Sequence, residues 1–230
     1  IYLKSQTKDP VILSMGKTYL TICTLLCIGL PAIIMQALMS FVTYGVNIIF
    51  GAVSTAAVTA YGIFYKIQQF IFFAAFGLRD AITSIVSFNF GMGNRKRVNE
   101  GIKWGLIYVS IIMVAGIVIL QVFTNPLIAV FRLSDETARL CILAIRIISA
   151  GFLFAGGNIA IQGVFQALGC GISSLVISLL RLFVIVLTLA YVFTLFTNAT
   201  DIMWLAFPIA ELVALIVAIA LLKRAKDKVL

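Results

Sequence analysis

Long apolar runs recur along this chain, each ended by a short polar interruption. Six are long enough to cross a bilayer: residues 19–50, 55–78, 101–123, 137–168, 172–196 and 202–222. A spanning helix needs roughly 20 mostly apolar residues. The first and fourth runs exceed that enough to be tilted, kinked or extended past the bilayer. The second is expected to continue as helix through "RDAITSIVSFNF" after a break near Gly77. The pattern predicts an all-α integral membrane protein. A six-span bundle occupies residues 18–222, with a polar linker at 1–17 and a basic tail at 223–230.

Composition agrees with lipid as the solvent. The chain is 63% hydrophobic and 11% charged, with a mean hydropathy of +1.16, whereas a soluble domain carries about 25% charged residues. There is no histidine, which excludes an imidazole base, a histidine metal site and a histidine proton relay. Cys23, Cys27, Cys141 and Cys170 make no Cys-x-x-Cys pair and read as small apolar packing residues, so no metal site is expected.

The net charge of +9 gains its meaning from position. Lys4, Lys8 and Lys17, then Arg95, Lys96, Arg97 and Lys103, then Lys223, Arg224, Lys226 and Lys228 all fall on one side of a six-span layout. The other side offers Arg132 and Arg139. A bias of eleven to two places both termini in the cytoplasm by the positive-inside rule, and no nucleic-acid partner is expected. "NFGMGNRKRVNEG", residues 89–101, holds a Gly-x-Gly but lacks a preceding strand and a Gly-Lys-Ser/Thr. It reads as a cytoplasmic loop rather than a phosphate cradle. The chain opens on Ile1 with no signal-peptide pattern, so the expectation is a fragment whose upstream part is missing.

Ionisable groups inside spans are costly and are functional candidates by default. Lys66, Arg79, Arg146 and Arg181 qualify, with Asp80 at a span end and Glu211 deep in the last span. Arg181 lies nine residues into span five and Glu211 eleven residues from the end of span six, roughly 14 Å and 16 Å in at 1.5 Å per residue. Antiparallel neighbours would bring them to one depth. The pair is read as a structural ion pair, with a coupling carboxylate at Glu211 as the alternative.

Polar residues also form stripes. Gln36, Ser40, Thr43 and Asn47 share one face of span one, and Asn158, Gln162 and Gln166 share one face of span four. Span two adds Tyr61, Tyr65, Lys66, Gln68 and Gln69. Carboxamides can simply bond helix to helix, or the stripes can line a wet cavity whose rings and amides suit amphipathic organic ligands. Gly29 with Pro31, Pro208, and the pair Gly156 and Gly157 are candidate kinks, either static or mobile during transport.

Four stretches carry a family likeness: "GLPAIIMQALMSFVTYGVNIIFG" (29–51), "YGIFYKIQQFIFFAAFGLRDAITSIVSFNFGMGNRKRV" (61–98), "GVFQALGCGISSLVISLLR" (163–181) and "WLAFPIAE" (204–211). Together they resemble the C-terminal half of the multidrug and toxic compound extrusion (MATE) family, in the bacterial branch that includes the DNA-damage-inducible and firmicute drug exporters. The Asn-Phe-Gly-x-Gly-Asn-x-x-Arg turn and the Phe-Gln-Ala-Leu-Gly piece are the most specific parts.

The resemblance implies a twelve-span secondary antiporter of two six-span bundles in the bacterial inner membrane. This chain would be spans seven to twelve, and its partner the N-terminal six-helix half of the same protein. Such carriers expel cationic and amphipathic small molecules on a proton or sodium gradient, by alternating access. Gln36, Ser40, Thr43, Asn47, Tyr61, Tyr65, Gln69, Asn158 and Gln162 would then face the substrate. The chain departs from branches that carry acids in spans seven and ten. Gln36 stands in the first neighbourhood, and the second offers Arg139 and Arg146. The coupling ion would therefore bind in the missing half, no cofactor is expected, and the lone bundle should not transport. The alternative within transport is a lipid-linked saccharide flippase of the same broad superfamily, which wants clustered cations for phosphates. An integral membrane enzyme lacks the convergent acids and histidines it would need.

Overall fold

The computed structural model describes residues 33, 34 and 37–229. The expected linker at 1–17, half of span one with Gly29, Pro31 and Gln36, and Cys23 and Cys27 lie outside the described residues. Everything described is helix or short turn. In chain order the helices are α1 (Ala37–Gly51), α2 (Thr55–Gly91), α3 (Arg95–Ala129), α4 (Asp135–Ala150), α5 (Phe152–Ala167), α6 (Gly171–Ser178), α7 (Val186–Thr194), α8 (Ala199–Ile202) and α9 (Ala206–Val229). A π-helical segment, Leu179–Ile185, joins α6 to α7, and a 3₁₀ turn, Met203–Leu205, leads into α9.

Four continuous helical stretches are long and apolar enough to cross a membrane: Thr55–Gly91, Arg95–Ala129, Gly171–Thr194 and Ala199–Lys226. Helices α4 and α5 together make a fifth, bent by 51°. Helix α2 has 37 residues, about 55 Å at the standard rise, so it projects well past a hydrocarbon core of about 30 Å.

Sequence caps explain where the helices begin. Ser54 accepts a hydrogen bond from the Ala56 amide at 3.1 Å, and Asn94 accepts one from the Arg97 amide at 3.1 Å, each satisfying an orphan donor of the first turn. The Asn94 cap corrects the expected loop. Irregular backbone is confined to Met92–Asn94, with Gly93 at φ +70, and the basic triplet already belongs to the first turn of α3. The positive φ is one that glycine adopts at little steric cost. Nor does α2 break near Gly77. In lipid a broken turn leaves backbone groups that no water can satisfy, and no neighbour presses on Gly77 to force one.

The bend in the fourth span falls at Gly151, not at Gly156 and Gly157. A Cβ on Gly151 would stand 2.8 Å from Pro208 Cα, so α9 is seated against the break itself. Gln121 of α3 steadies the last turn of α4, donating to Arg146 O at 3.0 Å and to Ser149 Oγ at 2.9 Å. Gly156 and Gly157 are contact points instead: Met113 Cγ and Leu215 Cδ1 would lie 2.6 Å and 2.9 Å from their Cβ positions. Pro208 falls in the first turn of α9, directly after the 3₁₀ turn, where its missing N–H costs little.

Helix α5 is the central post, buried along most of its length from Phe152 to Ala167. It packs against α2, α3, α6 and α9. Gly151→Ala is expected to destabilise by about 1–3 kcal/mol, because Pro208 backbone cannot yield as a side chain would. Gly62→Ala, where nothing lies within 4 Å, is expected to stabilise by up to about 1 kcal/mol through helix propensity. Thermal unfolding of the two variants in one detergent checks the opposite signs.

Candidate functional site

Helices α1, α2, α5 and α6, with the π-helical segment, line an open cavity of about 520 Å³, a size that suits a drug-like ligand. Its α2 wall is Gln69, Phe73 and Phe76, spaced i, i+4 and i+7 on one face. Its α5 wall is Gln162 and Gln166, again one turn apart. Arg79 and Arg181 close it with Ser178 and Leu182, and Met39 comes from α1.

The α2–α5 crossing that sets these walls depends on Gly163. A Cβ there would meet Arg79 Cγ at 2.7 Å and Thr83 Oγ1 at 2.9 Å. With no side chain in the way, Thr83 donates to Gly163 O at 3.1 Å, and the amides of α5 come within reach of α2.

Each cavity arginine carries its own counter-ion. Arg79 donates to Asp80 Oδ1 through Nε at 2.9 Å and Nη2 at 2.8 Å, and its guanidinium lies 5.2 Å from the Phe76 ring centroid. Arg181 Nη1 lies 3.3 Å from Glu211 Oε2. The second pair is deep, with side chains 5% and 16% exposed. Buried ions need bonds beyond their mutual attraction, and Asn158 supplies them. Its Nδ2 donates to Glu211 Oε2 at 2.8 Å and to Glu211 O at 2.9 Å. Arg181 belongs to the π-helical segment, whose wider i→i+5 turns recur at functional sites. Two neutralised arginines and three amides leave a polar wall of little net charge. Among the described residues, Gln162 Nε2 and Arg181 Nε are buried donors without a hydrogen-bond partner.

The structure divides the residues read as substrate-facing. Gln69 and Gln162 line the cavity together. Asn158 is fully buried behind it, occupied with Glu211. Tyr61 is buried in an aromatic cluster, stacked on Phe207 at 5.6 Å and edge-on to Phe50 at 5.7 Å, with Tyr65 beside it at 6.1 Å. Thr43 donates to Met39 O at 2.9 Å. This cluster lies eight residues up α2 from Gln69, about 12 Å along the axis. Ser40 is exposed and Asn47 half-buried, and neither lines the cavity. Gln36 lies outside the described residues. Lys66 is exposed and away from the cavity. Arg79 and Gln166 join the site although they were not singled out for it. Their signals were an intramembrane charge and the next step of the α5 stripe.

A model of the MatE family matches residues 31–192. The multidrug export protein MepA of Staphylococcus aureus (strain bovine RF122 / ET3-1) is 24% identical over 201 residues, covering 87% of this chain and 44% of that protein. A solved structure described as the outward-facing conformation of a multidrug resistance MATE family transporter of the MOP superfamily superposes with a TM-score of 0.82 at 20% identity, over 98% of this chain and 50% of the other. The Vibrio cholerae MATE transporter VcmN in its bent form gives a TM-score of 0.84 at 18% identity, over 91% and 48%. The chain thus spans about half the length of the curated relatives it matches.

Reversing one charge of the buried pair, Arg181→Glu or Glu211→Arg, is expected to cost roughly 3–5 kcal/mol, the penalty of an uncompensated buried ion. The double exchange should recover most of it. Denaturation of the two single variants and the double variant tests the pairing, and an absence of rescue would count against it.

Proposed function

The chain belongs to the MatE family, and on that premise we propose that it forms the substrate-facing half of a secondary multidrug efflux antiporter. The observation that carries the reading is the cavity between α1, α2, α5 and α6. Phe73, Phe76 and the amide of Gln69 on α2 face the amides of Gln162 and Gln166 on α5. Such a wall binds amphipathic and cationic organic molecules by stacking and adaptable hydrogen bonds, with weak demands on shape. Its arginines do not repel a cation strongly, because Asp80 and Glu211 neutralise them. The same pairing disfavours a flippase for lipid-linked saccharides, which needs free cations for phosphate.

The protein works in the bacterial inner membrane with both ends of this bundle cytoplasmic, an orientation that the basic residues on α3 and α9 support. An N-terminal six-helix half completes the carrier, and the cavity alternates between the two sides of the membrane. Proton or sodium coupling belongs to that other half. Among the described residues Glu211, the acid deep in the last span, is held by Arg181 and Asn158.

Ethidium efflux from energised cells tests the proposal with the two-bundle parent, this chain alone, and the parent carrying Gln69→Ala with Gln162→Ala. The parent should export the dye and the lone chain should not. The double substitution should slow export roughly tenfold, the worth of one or two net hydrogen bonds. Unchanged export in the double variant would retain the family and remove this cavity from the route.

A further inference from the structure

A second groove, of about 480 Å³, runs along α3, α5 and α9. Its walls are apolar, with Leu153, Ile161, Leu215 and Ile219 among them. Gly157 forms part of its floor, where Leu215 packs against bare backbone. One end is basic. Lys223 and Lys226 line it, and among the described residues no acid does. Lys226 Nζ donates to Asn99 Oδ1 at 2.8 Å, so the lysine is tied across the mouth from α9 to α3. Lys103 is exposed one turn along α3 from Asn99.

The dimensions fit one class of molecule. Leu215 and Lys226 are eleven residues apart on α9, about 16 Å along the axis, which is half of a hydrocarbon core about 30 Å thick. The groove therefore spans a single leaflet, with its apolar length inside and its lysines at the headgroup level. A neutral lipid would use the walls and leave the lysines idle. A free phosphate would use the lysines and leave the walls empty. We propose that this groove is a binding site for an anionic phospholipid of the leaflet that the basic end faces, with one acyl chain against α5 and α9 and its phosphate between Lys223 and Lys226. Basic pockets between spanning helices recognise such headgroups. Neither lysine lines the cavity of the proposed transport site, so the two sites are separable.

Native mass spectrometry of the purified full-length protein provides the test, with phosphatidylglycerol and phosphatidylcholine of identical acyl chains. Phosphatidylglycerol should bind at least tenfold more tightly. Lys223→Gln with Lys226→Gln should erase that preference, at roughly fivefold for each lysine near an anionic headgroup. Ile219→Trp, which fills an exposed part of the groove, should weaken both lipids alike. Arg132→Gln, remote from the groove, should change neither. Equal binding of the two lipids, or a preference that survives loss of both lysines, would overturn the proposal. Competition by soluble glycerol phosphate as strong as by the lipid would also overturn it, since the groove would then contribute nothing.

Discussion

The bond that joins Arg181, Glu211 and Asn158 is the constraint around which the other parts of this bundle are arranged. An arginine and a glutamate lie 3.3 Å apart where little water reaches them. Each alone would carry a desolvation cost of several kcal/mol, so three helical segments must be held in one register. Helix α5 supplies the amide, α9 the carboxylate, and the π-helical segment after α6 the guanidinium. No one of these can rotate by a residue without stranding a polar group. The hydrophobic effect cannot set that register, because lipid tails are as apolar as the helix faces they touch.

Much of the layout was legible in the sequence because hydropathy reports the solvent directly. Runs of apolar residues located the five spans that the described residues form when α4 and α5 count as one, and depth counted along two antiparallel helices put Arg181 and Glu211 at one level. Local bends were less legible. Gly156 with Gly157 looked like a hinge, whereas the break sits at Gly151, because Pro208 arrives there from α9, more than fifty residues away. Gly77 looked like a break and is continuous helix, because a glycine bends a helix only when something presses on it or offers its backbone other partners. The π-helical turn at Arg181 leaves no mark in residue type.

Side-chain direction was the hardest part to read. Tyr61, Gln69, Asn158 and Gln162 all carry groups suited to ligands, yet only Gln69 and Gln162 reach the cavity. Tyr61 and Asn158 turn to Phe207 and Glu211, partners on α9 that no spacing within α2 or α5 could have named. A helical stripe tells which residues share a face. It does not tell whether that face meets a cavity or another helix. Asn158 and Gln162 are one turn apart on α5, and the nearer approach of α9 at Asn158 separates bonding partner from cavity wall.

Helix α9 therefore has a double role in the architecture. Pro208 in its first turn backs the break between α4 and α5, and Glu211, three residues on, binds Asn158 of α5 and Arg181. Both contacts lie on the same stretch of one helix, so a change in the α4–α5 bend cannot leave the polar cluster undisturbed. Gln162, one turn beyond Asn158, presents its amide to the cavity. Bend, buried ion pair and cavity wall are thus joined through α5 and α9 by direct contact. For a wall built of amides and rings, a rotation of α5 by a fraction of a turn is enough to change which donors a ligand meets.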